Sequence, residues 1–283
     1  MTRRILISNA HLVEIGGSEL VAIELAEEYA QRGWEVMLYS PKISESVFRM
    51  IDKRVTVTGK QPDLMCGWDI IWDHHGVLIH QLERRPGTTI VTNHMSSYVD
   101  VEKPKYDPFT PHRIFANSKE TIASMHRNYA EHAELMQNPA PRMWSKNLAR
   151  GTAAVFISKH RPQELERLVD SLALPSVTYN GGVRITRAHY AHARFVVCNG
   201  KSVQYALVSG VPVFLYDHFG GPGWLTEENF EKAAYHNFSG RGFPRDRSVL
   251  DTLALYEQMP PISMERVNWR FRLHEWLYHM ELV

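Results

Sequence analysis

Short apolar runs separated by amphipathic stretches dominate the chain, and their order predicts alternating strands and helices. Arg4 to Ser8 is a buried-type run, after which Gly16, Gly17 and Ser18 punctuate the chain. Val21, Ala22, Leu25, Ala26 and Tyr29 then recur at helical spacing until Gly33 stops the helix, and Trp34 to Tyr39 reads as the next strand. Further runs stand at Asp69 to Trp72, Thr89 to Thr92 and Arg113 to Ala116, the last leading into a helical pattern over Ser118 to Tyr129. Such alternation predicts a parallel sheet covered on both faces.

Between Gln137 and Arg150 the rhythm breaks. Pro139 and Pro141 stand there in a stretch without sustained period, as a linker between lobes does. A second series begins with a strand over Ala153 to Ile157. It continues as helix Pro162 to Ser171, strand Ser176 to Tyr179, helix Ile185 to His192, strand Arg194 to Cys198, helix Lys201 to Ser209 and strand Val211 to Tyr216. From Ser263 the chain reads as helical, with Leu273, Trp276, Leu277 and Met280 at i, i+3, i+4 and i+7. The expected fold is α/β, with two Rossmann-like lobes facing a cleft, and 283 residues suffice for two compact domains. The N-terminal lobe is expected over 1–141 and the C-terminal lobe over 150–262. A terminal helix over 263–283 is expected to pack back on the N-terminal lobe.

Composition narrows this little. Charges nearly cancel, Lys+Arg 32 against Asp+Glu 31, so a nucleic-acid partner is disfavoured, though not excluded. Cys66 and Cys198 lie far apart without CxxC spacing, which suggests neither a disulfide framework nor a zinc knuckle. The opening MTRRILISNA is too short for a signal h-region or a membrane span, so a cytoplasmic protein is expected, with any membrane contact peripheral.

In open parallel sheets ligands collect at the carboxyl ends of strands, where helix N-termini favour phosphate. The first such junction is NAHLVEIGGSE, where Gly16 and Gly17 allow close backbone approach and Ser18 can cap the helix; GxGxxG is absent, and a plain tight turn fits as well. In CNGKSVQYALVSG, Asn199 and Gly200 turn the chain before Lys201 and Ser202 open a helix, an arrangement suited to a diphosphate. SKHRPQE places Lys159, His160 and Arg161 after the second lobe's first strand, either as cations for a leaving diphosphate or as a solvated turn. The glycine-rich DHFGGPGWLTEEN carries Asp217 and His218, and FSGRGFPRDR sets Arg241 and Arg245 beside Phe238 and Phe243, suited to stacking and to phosphate.

Histidines also mark strand ends. His74 and His75 follow one run and His94 another; each is a candidate base or polar contact, although a hydrogen-bonded structural histidine is commoner. Adjacent residues of a strand face opposite ways, so His74 and His75 are poorly arranged as joint metal ligands. Asp69 and Asp73 do not have DxD spacing, and no bound metal is expected. Asp73, His75 and His94 are the candidate catalytic groups.

Taken in order, these pieces resemble the GT-B glycosyltransferases, most closely the family with bacterial mannosyl- and glucosyltransferases of cell-envelope assembly. GGSELVAIELAEEYAQRGWEV looks like its opening turn and helix, which face the donor phosphates, and TIVTNHMSS like its strand ending in a histidine. RIFANSKETIASM and LMQNP resemble the strands closing the first lobe, and AVFISKHRPQELERLVDSL the opening of the donor lobe. The resemblance implies a nucleotide-sugar donor as substrate, no cofactor, and a role in polysaccharide biosynthesis. It puts His94 near the transferred sugar and makes Lys159 and Arg161 the nearest counterparts of the phosphate-binding pair. The family's retaining members carry two glutamates before an A-x-x-x-G-x-P-like segment; Gln204 holds the place of the second and no glutamate holds the first. SVQYALVSGVPVFLYDHFGGPGWLTEEN also looks like part of the capsule Kdo transferases, which would imply a CMP-linked donor.

Two other functions compete with sugar transfer. A sugar-nucleotide epimerase or hydrolase would use carboxylates among Asp73, Asp217, Glu227 and Glu228 as acid and base, and a silent nucleotide- or carbohydrate-binding protein would use none. Lipid-linked glycan, capsule chain, protein and modified nucleic acid remain open as acceptors.

Overall fold

The computed structural model describes residues 2–283 except 109–110, 145–147, 159–162, 173 and 180–181, and omits the side chains of 166, 169 and 170. The chain divides into two compact units, Met1–Gln137 and Asn138–Val283. In the first, β1 (Arg4–Ser8), α1 (Gly17–Gln31), β2 (Glu35–Tyr39), α2 (Glu45–Phe48), β3 (Val55–Thr58), β4 (Ile70–His74), β5 (Thr89–His94), β6 (Arg113–Ala116), α3 (Lys119–Ala123), α4 (Arg127–Ala130) and β7 (Ala133–Leu135) follow in order. All seven strands run parallel in the order β3-β2-β1-β4-β5-β6-β7.

The chain starts at β1, winds outward to β3, and then returns to β4 on the other side of β1. That reversal makes the carboxyl ends of β1 and β4 a topological switch point, where doubly wound sheets bind ligands. Both faces of the sheet are covered, which is why the central strands read as unbroken apolar runs. On one face Leu6, Ile71 and Ile90 pack with Trp68, Leu78 and Leu82, and Ile114 and Ala116 with Met125 and Tyr129; on the other Ile5, Ile7, Trp72, Val91 and Phe115 are buried.

The second unit contains β8 (Ala153–Ile157), α5 (Gln163–Ser171), β9 (Ser176–Tyr179), α6 (Arg187–Tyr190), β10 (Ala193–Cys198), α7 (Lys201–Ser209), β11 (Val213–Asp217), β12 (Gly220–Trp224), α8 (Phe230–Tyr235), α9 (Ser248–Asp251) and α10 (Leu273–His279). Its five strands take the order β12-β11-β10-β8-β9, with the switch point between β8 and β10. Alternate residues supply two cores: Val155, Ile157, Val196 and Cys198 face one way, Ala154, Phe156, Phe195 and Val197 the other.

Several elements depart from the sequence reading. The helix expected over Ser118 to Tyr129 is two short helices, because His126 is extended (φ −58°, ψ 141°) and its ring accepts from the N–H of Asn128. The glycine-rich segment after Asp217 is not a loop but the edge strand β12, antiparallel to β11. A Cβ on Gly221 would lie 2.1 Å from the carbonyl oxygen of Leu215, so only glycine permits that pairing. Residues 263–268 form turns, not helix, and a 3-10 turn over Trp269–Phe271 then leads into Arg272, which bridges Ala140 in parallel before α10. The linker is anchored on the second unit, where Trp144 stacks on Tyr205 of α7 with ring centroids 4.3 Å apart. No helix among the described residues is long and apolar enough to cross a membrane.

Candidate active site

Parallel strands bring Ser8, Asp73 and Thr92 into one row across β1, β4 and β5. His94, two residues beyond Thr92, shares their face, while His74 and Asn93 are paired on the opposite face. Asp73, His74, His75 and His94 are 0% exposed. Asp73 Oδ1 accepts from Ser8 Oγ at 2.5 Å and from the N–H of Leu78 at 3.0 Å, and Asn93 Nδ2 lies 3.2 Å from His74 Nδ1. His75 turns out of the strand with φ 61°, uncommon for any residue but glycine.

These partners do not exhaust the polar atoms. Asp73 Oδ2, His74 Nε2, Thr92 Oγ1, Asn93 Oδ1 and both ring nitrogens of His75 and of His94 are buried without a hydrogen-bond partner in the protein. Folded proteins rarely leave buried polar groups unpaired, so such a concentration at a switch point calls for a polar guest.

Burial sets the charges. It pushes the Asp73 carboxyl up to about 6, against the pull of Ser8, the Leu78 and Val77 amides and Lys105. It pulls His74 down to about 3, with help from His94, and His94 down to about 4, with help from Lys105; His75 falls well below the usual imidazole range for the same reason. At neutral pH the set therefore offers one ionised carboxylate just above its transition and three uncharged imidazoles. Those groups suit accepting a proton from, and hydrogen-bonding to, hydroxyl groups.

The glycine-rich turn before α1 is arranged differently. Glu19, 3% exposed, folds its carboxylate over the helix N-terminus, and a Cβ on Gly16 would lie 2.6 Å from Glu19 Oε2. His11 Nε2 pairs with Glu19 Oε1 at 2.9 Å, and Ser18 Oγ lies 2.6 Å from Glu102 Oε1 and 3.1 Å from Glu19 Oε2. Gly16 and Gly17, expected near donor phosphates, thus adjoin a helix end already supplied with a carboxylate.

In the second unit the switch point places Asn199 and Gly200 beside the loops after β11 and α8. Asp217 joins them: its carboxylate accepts from Asn199 Nδ2 at 3.0 Å, from the Phe219 N–H at 2.7 Å and from the Gly240 N–H at 3.1 Å. Gly240 has to be glycine, because a Cβ there would lie 2.4 Å from Asp217 Oδ1. The loops so fixed carry His218, whose ring centroid is 4.0 Å from that of Phe219, and Arg241, whose guanidinium lies 5.8 Å from the same ring. Asn199, Gly200, Asp217, His218 and Arg241 are thus brought together, with Asp217 as their support.

Lys201 is not directed toward them. It is 5% exposed, and its Nζ donates to the carbonyls of Asn138 at 2.9 Å and Pro139 at 2.8 Å. Ser202, next along α7, is half-buried, and its carbonyl accepts from Tyr190 OH at 2.8 Å. Lys159 and Arg161 lie outside the described residues. Sequence reasoning missed Ser8, Thr92, Asn93 and Asn138; only their positions beside strand ends or in the linker pointed to them. Asn138 Oδ1 and Gln204 Oε1 are further buried acceptors without a donor. Among the described residues no group of three or more His, Cys, Asp or Glu is placed to hold a metal ion.

Solved structures to which the chain is similar include several described as glycosyltransferases. They include a glycosyltransferase from Rickettsia africae (10% identity, 91% of this chain and 98% of that one, TM-score 0.47) and the calicheamicin glycosyltransferase CalG4 (12%, 91% and 94%, 0.44). Another is WaaG, a glycosyltransferase involved in lipopolysaccharide biosynthesis (11%, 74% and 80%, 0.41). No protein-family profile and no curated protein matches the chain.

Proposed function

We propose that this protein is a glycosyltransferase that moves a sugar from a nucleotide-sugar donor to an acceptor hydroxyl without a bound metal. The observation that carries the reading is the set of unpaired buried polar groups at the carboxyl ends of β4 and β5. In this reading Asp73 Oδ2 takes the acceptor's proton, while His75 and His94, held neutral by burial, hydrogen-bond to sugar hydroxyls. Arg241 and His218, with Asn199 and Gly200, meet the nucleotide, and cationic and main-chain donors do the work a metal would do on the diphosphate. A near-neutral Asp73 also suits activation of water, which keeps sugar-nucleotide hydrolysis as the second reading.

Nucleotide release from UDP-, GDP-, ADP- and CMP-sugars, measured in excess EDTA with and without a panel of saccharides and a polyprenyl phosphate, tests this. Release that depends on acceptor is expected. Equal release without acceptor would establish hydrolysis, no release with any donor would leave a binding protein, and activity lost to EDTA and restored by Mg would overturn metal independence.

A further inference from the structure

The segment from Ser96 to Asp107 runs over the carboxyl ends of β4 and β5 yet buries little of itself. Tyr98, Val99, Asp100, Val101 and Tyr106 are all exposed, while Glu102 is half-buried with its carboxyl turned inward to Ser18. Its ends are fastened: Ser96 Oγ accepts from the N–H groups of Tyr98 and Val99, His80 Nδ1 meets Asp107 Oδ2 at 2.5 Å, and Tyr106 stacks on His126 at 3.8 Å. Its middle passes beside Gly76, where a Cβ would meet Lys105 Cβ at 3.4 Å, and the main chain of Glu102 lies by the His75 ring. What ties the middle down is the 2.6 Å contact between Glu102 Oε1 and Ser18 Oγ.

Proton counting makes that tie unusual. Ser18 has one hydroxyl proton but stands within hydrogen-bond distance of two carboxyl groups, Glu102 and Glu19. One of the two contacts therefore requires a proton on a carboxyl group. Glu19 is paired with His11 at 2.9 Å and accepts main-chain hydrogen bonds at the N-terminus of α1, whereas Glu102 accepts none from the main chain and feels His11 without being paired to it; Lys103 is turned to Asp100. The proton belongs on Glu102, which then donates to Ser18 while Ser18 donates to Glu19.

We propose that residues 96–107 form a strap closed over the candidate active site, and that Glu102, protonated and bonded to Ser18, is the latch that holds it. Burial, with Glu19 adding to it, raises the Glu102 carboxyl above its usual range, against the pull of Ser18 and His11, and burial also raises Glu19. A carboxyl raised on closing favours the closed form below its ordinary value and loses that contribution as pH rises through the raised one. The strap is thus closed in acid and loosens toward neutral pH, uncovering His75, Asp73 and His94. Calling those groups the active site rests on the glycosyltransferase reading; the latch does not.

Hydrogen exchange of the 96–107 amides, expressed as protection relative to the unfolded chain, tests the latch without any assay of activity. As pH is raised from below the ordinary carboxylate range toward neutral and beyond, protection in the native protein is expected to fall about tenfold, the effect of losing one hydrogen bond. Glu102→Gln, a neutral donor at every pH, should keep the strap protected throughout. Glu102→Ala and Ser18→Ala should leave it unprotected throughout. Protection that does not change with pH in the native protein, or a Glu102→Gln variant as open as Glu102→Ala, would overturn the proposal.

Discussion

Asp73 concentrates the tension between folding and chemistry in one side chain. It sits at the end of a central strand with one oxygen satisfied by Ser8 and Leu78 and the other unpaired. Its carboxyl is raised from 3.8 to about 6, so the ionised form is disfavoured in the fold, and the penalty applies above pH 6 and vanishes below the unfolded value. Roughly two units correspond to about 3 kcal/mol. Asp73→Asn keeps an oxygen for Ser8 and Leu78 but cannot ionise. Urea unfolding at about pH 8 should show it more stable than the native protein by about 1–3 kcal/mol, a gain absent at about pH 3.5. If Asp73 is the base, the same variant should lose nearly all turnover, and the native kcat/KM should rise as pH climbs through 6. An Asn variant that is less stable at both pH values would show that Asp73 holds the fold by its charge.

Elements were more legible in the sequence than their partnerships. β1, β6 and β8 match the runs read from it because a strand buried on both faces must be continuously apolar, and the edge strand β9 and the helix α7 also stand where the sequence put them. β3, with sequence VTVT and only one neighbour, gives no such run and was missed; β12 was hidden because its glycines serve a close backbone approach, which composition alone does not distinguish from a loop. The site shows the same division. Histidines at strand ends were visible, but whether Asn93 Oδ1, Thr92 Oγ1 or Gln204 Oε1 finds a donor depends on what the fold places opposite each of them. Lys201 illustrates the cost. Its place at the start of α7 suggests phosphate, yet its ammonium ties that helix to the linker through the carbonyls of Asn138 and Pro139. Lys201→Ala should therefore lower stability by about 2–3 kcal/mol, the cost of unsatisfied buried groups, and change nucleotide affinity less than threefold. Calorimetric titration showing a loss above tenfold with stability unchanged would restore the phosphate contact.

For the molecule as a whole, the buried imidazoles dominate the response to acid. His74 and His94 are held at about 3 and about 4 and His75 lower than usual, all against 6.5 for a free ring. Their depressed values contribute stability that is present above 6.5 and lost as pH falls toward the folded values, by up to about 1.4 kcal/mol per pH unit for each ring. Asp73, raised to about 6, opposes this below that value, and Glu19 and Glu102, also shifted upward by burial, act in the same direction as Asp73. The urea midpoint should therefore drop between pH 7 and 5, and His74→Asn should lessen the drop; a midpoint that holds steady or rises over that interval would contradict the burial of neutral rings. The edge of the second sheet has a bearing on how the protein behaves in company. β12 closes that edge with Gly220, Gly221, Pro222 and Gly223, a sequence poor in strand-forming side chains and, at Pro222, without an N–H to offer. A stray extended chain, from a neighbour or a ribosome, finds little there to template on, so crowding is resisted by the same short strand that needed its glycines to pair inward.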